Sequence, residues 1–153
     1  MSEHDNLNIV KYTYLAHRHH KISALLNCLA DDVKWFASGP PDIIPSAGTR
    51  YGRDQVEQYF AVLEDAEEDL IFEPTEFIAE GDKVVAIGDL QRPIKSTGTL
   101  INSPWIHVFT LHKGRISEFR SFYDTAAAIE AMASRRMPSV RSETVETRRP
   151  AVI

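Results

Sequence analysis

Residues 104–128, PWIHVFTLHKGRISEFRSFYDTAAA, leave the chain little choice of local structure. Two apolar, β-rich runs flank His112-Lys113-Gly114-Arg115, where glycine can adopt the positive φ that a tight hairpin needs. A helix-forming run, Thr125-Ala126-Ala127-Ala128, follows at once. Strict alternation puts Trp105, His107, Phe109 and Leu111 on one face of the first strand. On the second it groups Ile116, Glu118, Arg120, Phe122 and Asp124, opposite Ser117, Phe119, Ser121 and Tyr123. A histidine among large apolar neighbours and an aspartate at a strand end, joined by one hairpin, form the strongest chemical lead. Asp124 also has a plain structural role open to it, because Asp is a favoured N-cap and Thr125 begins a helix. His107 can equally be a hydrogen-bonded structural histidine.

The rest of the chain supplies helices first and strands afterwards. Residues 8–18 predict a helix with Val10, Tyr14 and His17 near one face, and residues 22–29 a second. Tyr14 either packs in the core or points its hydroxyl into a cavity. His17, His19 and His20 stand at spacings that do not converge on one helical face, and no carboxylate or cysteine completes a metal set. Asp31 and Asp32 open a short strand carrying Trp35, which lines either core or pocket. Residues 38–51, rich in proline and glycine, predict a loop with Ile43 and Ile44 placed to cover a cavity. Val56, Tyr59, Phe60 and Leu63 mark a third helix with a core stripe. Strands over 70–79 and 83–92 meet at Glu80-Gly81-Asp82, and 93–102 predicts a polar connector. Helices followed by a run of antiparallel strands mean α+β, a curved sheet forming a cone with helices packed on its concave face. Such a cone is a natural place for an apolar ligand.

Charge separates a body from a tail. Residues 134–153 hold five Arg and two Glu, leaving 12 basic and 20 acidic residues in the rest. An acidic body argues against a nucleic-acid surface. Residues 1–134 therefore read as a single domain and 135–153 as a polar, arginine-rich extension, solvated or touching an acidic neighbour. No apolar run approaches a membrane span, the N-terminal residues lack a signal-peptide pattern, and one cysteine, Cys28, excludes an internal disulfide. Cytoplasm is the expected location.

The pattern W-x-H-V-F-x-x-x-x-G-x-I-x-x-F-R-x-F-Y-D-T-A resembles the last two strands of the nuclear transport factor 2-like superfamily, and within it the SnoaL-like branch related to polyketide cyclases. Leu29-Ala30-Asp31-Asp32-Val33-Lys34-Trp35, Tyr51-Gly52, residues 79–85 and Ser96-Thr97-Gly98 follow the same order, so the likeness spans roughly residues 7 to 134. It implies a cystatin-like cone, a homodimer through the sheet, and chemistry without a cofactor. In SnoaL-like cyclases the aspartate of the terminal Tyr-Asp motif is the acid/base residue; the resemblance carries that role onto Asp124, with His107 assisting. Tyr14, Trp35, Trp105, Phe109 and Phe122 are then the candidate ligand-binding side chains. The position matching the ketosteroid isomerase base is Ala37, and the arginine that limonene-type epoxide hydrolases need near Asp89 is missing. Scytalone-type dehydration needs more convergent histidines than the sequence places.

Two functions follow. One is a cofactor-independent lyase, isomerase or cyclase acting on a small apolar or polycyclic substrate. The other is a non-catalytic ligand-binding or dimeric interaction module of the same fold. Neither calls for a metal, a nucleic acid or a membrane.

Overall fold

The computed structural model describes residues 2–66 and 73–133, so the C-terminal extension and the start of the strand expected from residue 70 lie outside the described residues. Helix α1 (Glu3–Arg18) starts five residues earlier than its apolar periodicity implies, because Ser2 and Asp5 form a capping box. The Asp5 amide donates to Ser2 Oγ (3.1 Å) and the Ser2 amide to Asp5 Oδ2 (3.2 Å). Helix α2 (Ile22–Leu26) and strand β1 (Leu29–Ala37) follow, then a short β2 (Gly48–Tyr51) in what reads from sequence as loop. Helix α3 (Gly52–Ala66) carries the expected stripe, with Val56 and Tyr59 buried.

Strands β3 (Pro74–Glu80), β4 (Lys83–Pro93), β5 (Leu100–His112) and β6 (Arg115–Tyr123) precede helix α4 (Thr125–Ala133). The connector expected over 93–102 is shorter, since strand pairing runs on to Pro93↔Leu100 and buries Ile94 and Ile101. The six strands form one curved, unclosed sheet in the order β2-β1-β6-β5-β4-β3. Every pairing is antiparallel except β1 with β6. Helices α1, α3 and α4 pack against β3–β4, β1 and β5 respectively, giving the expected α+β architecture.

The β5–β6 hairpin turns on Lys113 and Gly114, both at positive φ (50° and 79°), as a two-residue turn matched to the strand twist requires. Just beyond it the register shifts: Thr110 faces Glu118, but Leu111 faces Ile116. Ser117 is the extra residue of a β-bulge, its hydroxyl donating to the Thr110 carbonyl (3.2 Å). The bulge breaks the strict alternation expected for this strand. Ile116 joins Phe119 and Ser121 on the inner face, while Phe122 pairs with Ile106 on the outer one.

One glycine fits the core closely. Gly88 in β4 pairs with Trp105, and a Cβ there would come within 2.5 Å of Trp105 Cζ2 and 2.9 Å of the Glu73 carbonyl. The Trp105 ring therefore lies flat over the strand in space that only glycine leaves.

Candidate functional site

A half-open apolar pocket with about 40 Å³ of space lies between the sheet and the first three helices. Strand β1 contributes Leu29 and Trp35, β5 His107 and Phe109, and β6 Ile116 and Phe119. Helix α1 turns Thr13, Tyr14 and His17 towards it, α2 adds Leu25, and α3 adds Tyr59, Phe60 and Leu63. The volume has room for about three water molecules. The His17 and Phe60 rings, 5.6 Å apart, bridge α1 and α3 at the partly exposed side.

Tyr14 and His107 are its polar core. The Tyr14 hydroxyl lies 2.7 Å from His107 Nδ1, with the ring planes parallel to within 1°. Which group donates follows the imidazole tautomer. The pair is locked by aromatic neighbours: Trp105 sits 4.2 Å from the His107 ring and Phe119 packs edge-on at 4.8 Å. Phe109 meets Tyr14 edge-on at 5.8 Å. Burial pushes the His107 imidazole down to about 3, helped by the Arg92 cation and then by His17. Burial raises the Tyr14 phenol well above its usual value, with Tyr59 adding to the rise. Both groups are therefore neutral at pH 7, and among the described residues no carboxylate is in the lining.

Of the side chains singled out from sequence, Tyr14, Trp35, His107 and Phe109 meet in this lining. Trp105 does not border the cavity but backs His107 from behind. Phe122 is 39% exposed on the outer sheet face against Phe36, where the bulge in β6 sends it. Asp124 is exposed and stands outside the lining. Its Oδ1 accepts the Ala127 amide (3.0 Å), capping α4, and its own amide donates to Ser103 Oγ (2.9 Å). The expected meeting of His107 and Asp124 on one surface is thus not realised; the residue paired with His107 is Ser121.

Tyr59, Phe60 and Leu63, expected from their stripe as core, also line the cavity, and so does His17. The signal for His17 was its place on the Tyr14 face of α1. His19 and His20 are exposed, so the three histidines do not share a surface. Among the described residues no cluster of three His, Cys, Asp or Glu could hold a metal ion. A wider groove of about 720 Å³ beside Asp31, Asp32, Lys113 and Arg115 is open to solvent, where mixed charges are screened.

Comparison with known proteins places this geometry. No curated protein matches the chain. An NTF2-like protein from Burkholderia xenovorans LB400 has 28% identity and a TM-score of 0.79, over 86% of this chain and 98% of that one. An NTF2-like protein of unknown function from Burkholderia pseudomallei K96243 has 26% identity and a TM-score of 0.78 over the same shares. A protein from Jannaschia sp. CCS1, provisionally named a SnoaL-like polyketide cyclase, shares the fold at 18% identity and a TM-score of 0.74, over 85% of this chain and 92% of that one. The SnoaL-like domain model matches residues 10–119, which include every lining residue named above, and the chain belongs to the SnoaL-like family.

Proposed function

We propose that this protein is a cofactor-independent acid–base enzyme of the isomerase or cyclase type, acting on a small, mostly apolar molecule in the aromatic cavity. The observation that carries this reading is the 2.7 Å contact between Tyr14 and His107 inside an apolar pocket. A phenol that keeps its proton can donate to a substrate oxygen, and a neutral imidazole beside it can supply or receive a proton as charge develops. Water-poor surroundings strengthen each of those interactions. The site's size favours a substrate of a few heavy atoms over a polycyclic one.

A cofactor-free proton transfer next to a carbonyl exchanges carbon-bound hydrogen with solvent. Acetone in D2O is therefore a direct probe, followed by NMR. The protein is expected to accelerate exchange over buffer, and Tyr14→Phe to remove at least about 100-fold of that acceleration. No acceleration, or an undiminished rate in Tyr14→Phe, would sink the catalytic reading.

A second reading, a non-catalytic pocket that binds an apolar ligand, is favoured by one specific feature. An imidazole titrating at about 3 is a weak base at pH 7. Binding of acetone without exchange would select it. For either reading we propose a homodimer through the outer sheet face, where Ile78, Ile106 and Phe122 are 55%, 43% and 39% exposed. Sedimentation of the native protein and of Phe122→Asp tests it: a dimer that dissociates supports this assembly, and a native monomer removes it.

A further inference from the structure

Of the seven glycines in the chain, Gly88 alone is not at positive φ. It lies inside β4, where glycine weakens a strand, so what keeps it there is space rather than backbone conformation. A Cβ on it would stand 2.5 Å from Trp105 Cζ2 and 2.8 Å from Trp105 Cε2, with the Glu73 carbonyl at 2.9 Å. Gly88 does not line the pocket, and neither does Trp105.

The indole nevertheless reaches the site. Trp105 is the cross-strand partner of Gly88 and is 1% exposed, so its ring has no room to retreat in a close-packed interior. It meets the His107 ring at 4.2 Å with a 30° tilt, and the Tyr14 ring at 6.1 Å. Phe119 packs edge-on to the same imidazole at 4.8 Å, which leaves that ring little slack. His107 Nδ1 in turn lies 2.7 Å from the Tyr14 hydroxyl, a bond that weakens steeply once its angle is lost. A displaced indole is therefore felt at the Tyr14–His107 contact.

We propose that Gly88 is a positioning residue of this site. By leaving the space in which the Trp105 ring lies, it fixes the His107 imidazole in the orientation that meets Tyr14. The consequence for rate rests on the acid–base reading above. The positioning itself does not, because the imidazole reports it directly.

The test is Gly88→Ala in the full chain, read by NMR of the His107 ring nitrogens, which His107→Phe assigns. Tyr14→Phe should move the Nδ1 signal and so calibrate it as a reporter of the bond; an unmoved signal there would mean that no bond exists to be positioned, and the inference falls. Gly88→Ala is expected to shift Nδ1 towards its place in Tyr14→Phe, while the exposed His4 and His19 rings stay as they are. Any acceleration of acetone exchange should drop with it by about 10- to 100-fold. Adding Trp105→Phe, a smaller ring, should bring the signal back towards its native position. If Gly88→Ala folds and the His107 signal does not move, the positioning role is wrong. If Gly88→Ala does not fold, the double variant decides. A folded double variant with a near-native His107 signal supports the inference. One that stays unfolded, or folds with the signal still displaced, places the obstacle at the Glu73 carbonyl and overturns it. Should the native protein not accelerate acetone exchange, the acid–base reading fails on its own, and the imidazole signal still decides the role of Gly88.

Discussion

His107 and Asp124 stand on neighbouring strands and were equally plausible chemical residues, yet the fold uses them in opposite ways. His107 lies on the inner face of β5, 5% exposed, bonded to Tyr14 and enclosed by aromatic rings. Asp124 lies past the end of β6, exposed and engaged with two backbone-level contacts at the start of α4. Burial changes the chemistry of the first; the second keeps the ordinary duty of an aspartate before a helix. What separates them is a single inserted residue, Ser117, which reverses the alternation of β6. A site argued from residue type and strand parity alone is therefore only as good as the register behind it.

The contrast can be broken or sharpened by experiment. The largest effect is expected at the back of the cavity. Trp105→Ala removes a ring that is 1% exposed and packs against His107, and should cost about 3–5 kcal/mol in denaturant unfolding. A much smaller cost would mean that the Tyr14–His107 pair is not held by packing.

Next comes pH. The folded-state value for His107, about 3, lies below the ordinary value of 6.5, so the unfolded chain binds this proton first as pH falls. The associated stability is complete above pH 6.5 and is lost progressively towards pH 3. Between pH 6.5 and 4 the loss is on the order of 3 kcal/mol. Unfolding of the native protein and of His107→Phe across this range should differ by that slope. Parallel curves would show that the imidazole is hydrated rather than buried.

At the surface end the effects shrink. Asp124→Ala should cost about 1 kcal/mol through the lost cap, while Asp124→Asn, a comparable cap, should cost a few tenths at most. Neither should alter hydrogen exchange of acetone. A rate loss in Asp124→Asn as large as that in Tyr14→Phe would restore the aspartate as an acid/base group and overturn the comparison.

Much of the architecture was legible in local patterns. The hairpin at Lys113-Gly114, the apolar stripe of α3 and the Glu80-Gly81-Asp82 turn are short-range signals, and each appears where expected. The early start of α1 was less visible because its capping box lies before the apolar periodicity begins. The pairing of β4 with β5 through residues 93 and 100 depends on burial of Ile94 and Ile101, which polar neighbours mask in the sequence. At the site, Tyr14, Trp35, His107 and Phe109 were recoverable from face assignments within single elements. Their convergence was not.

By itself the sequence determined the α+β class, the order of elements, and which face of α1 and β5 would be apolar, because those follow from 3.6- and 2-residue periodicity. Only the tertiary structure decided the partners. The Tyr14–His107 contact joins residues 93 positions apart, and the bulge at Ser117 sets which side chains of β6 face inward. Both depend on how strands register against one another, an interaction between distant segments that no local pattern encodes.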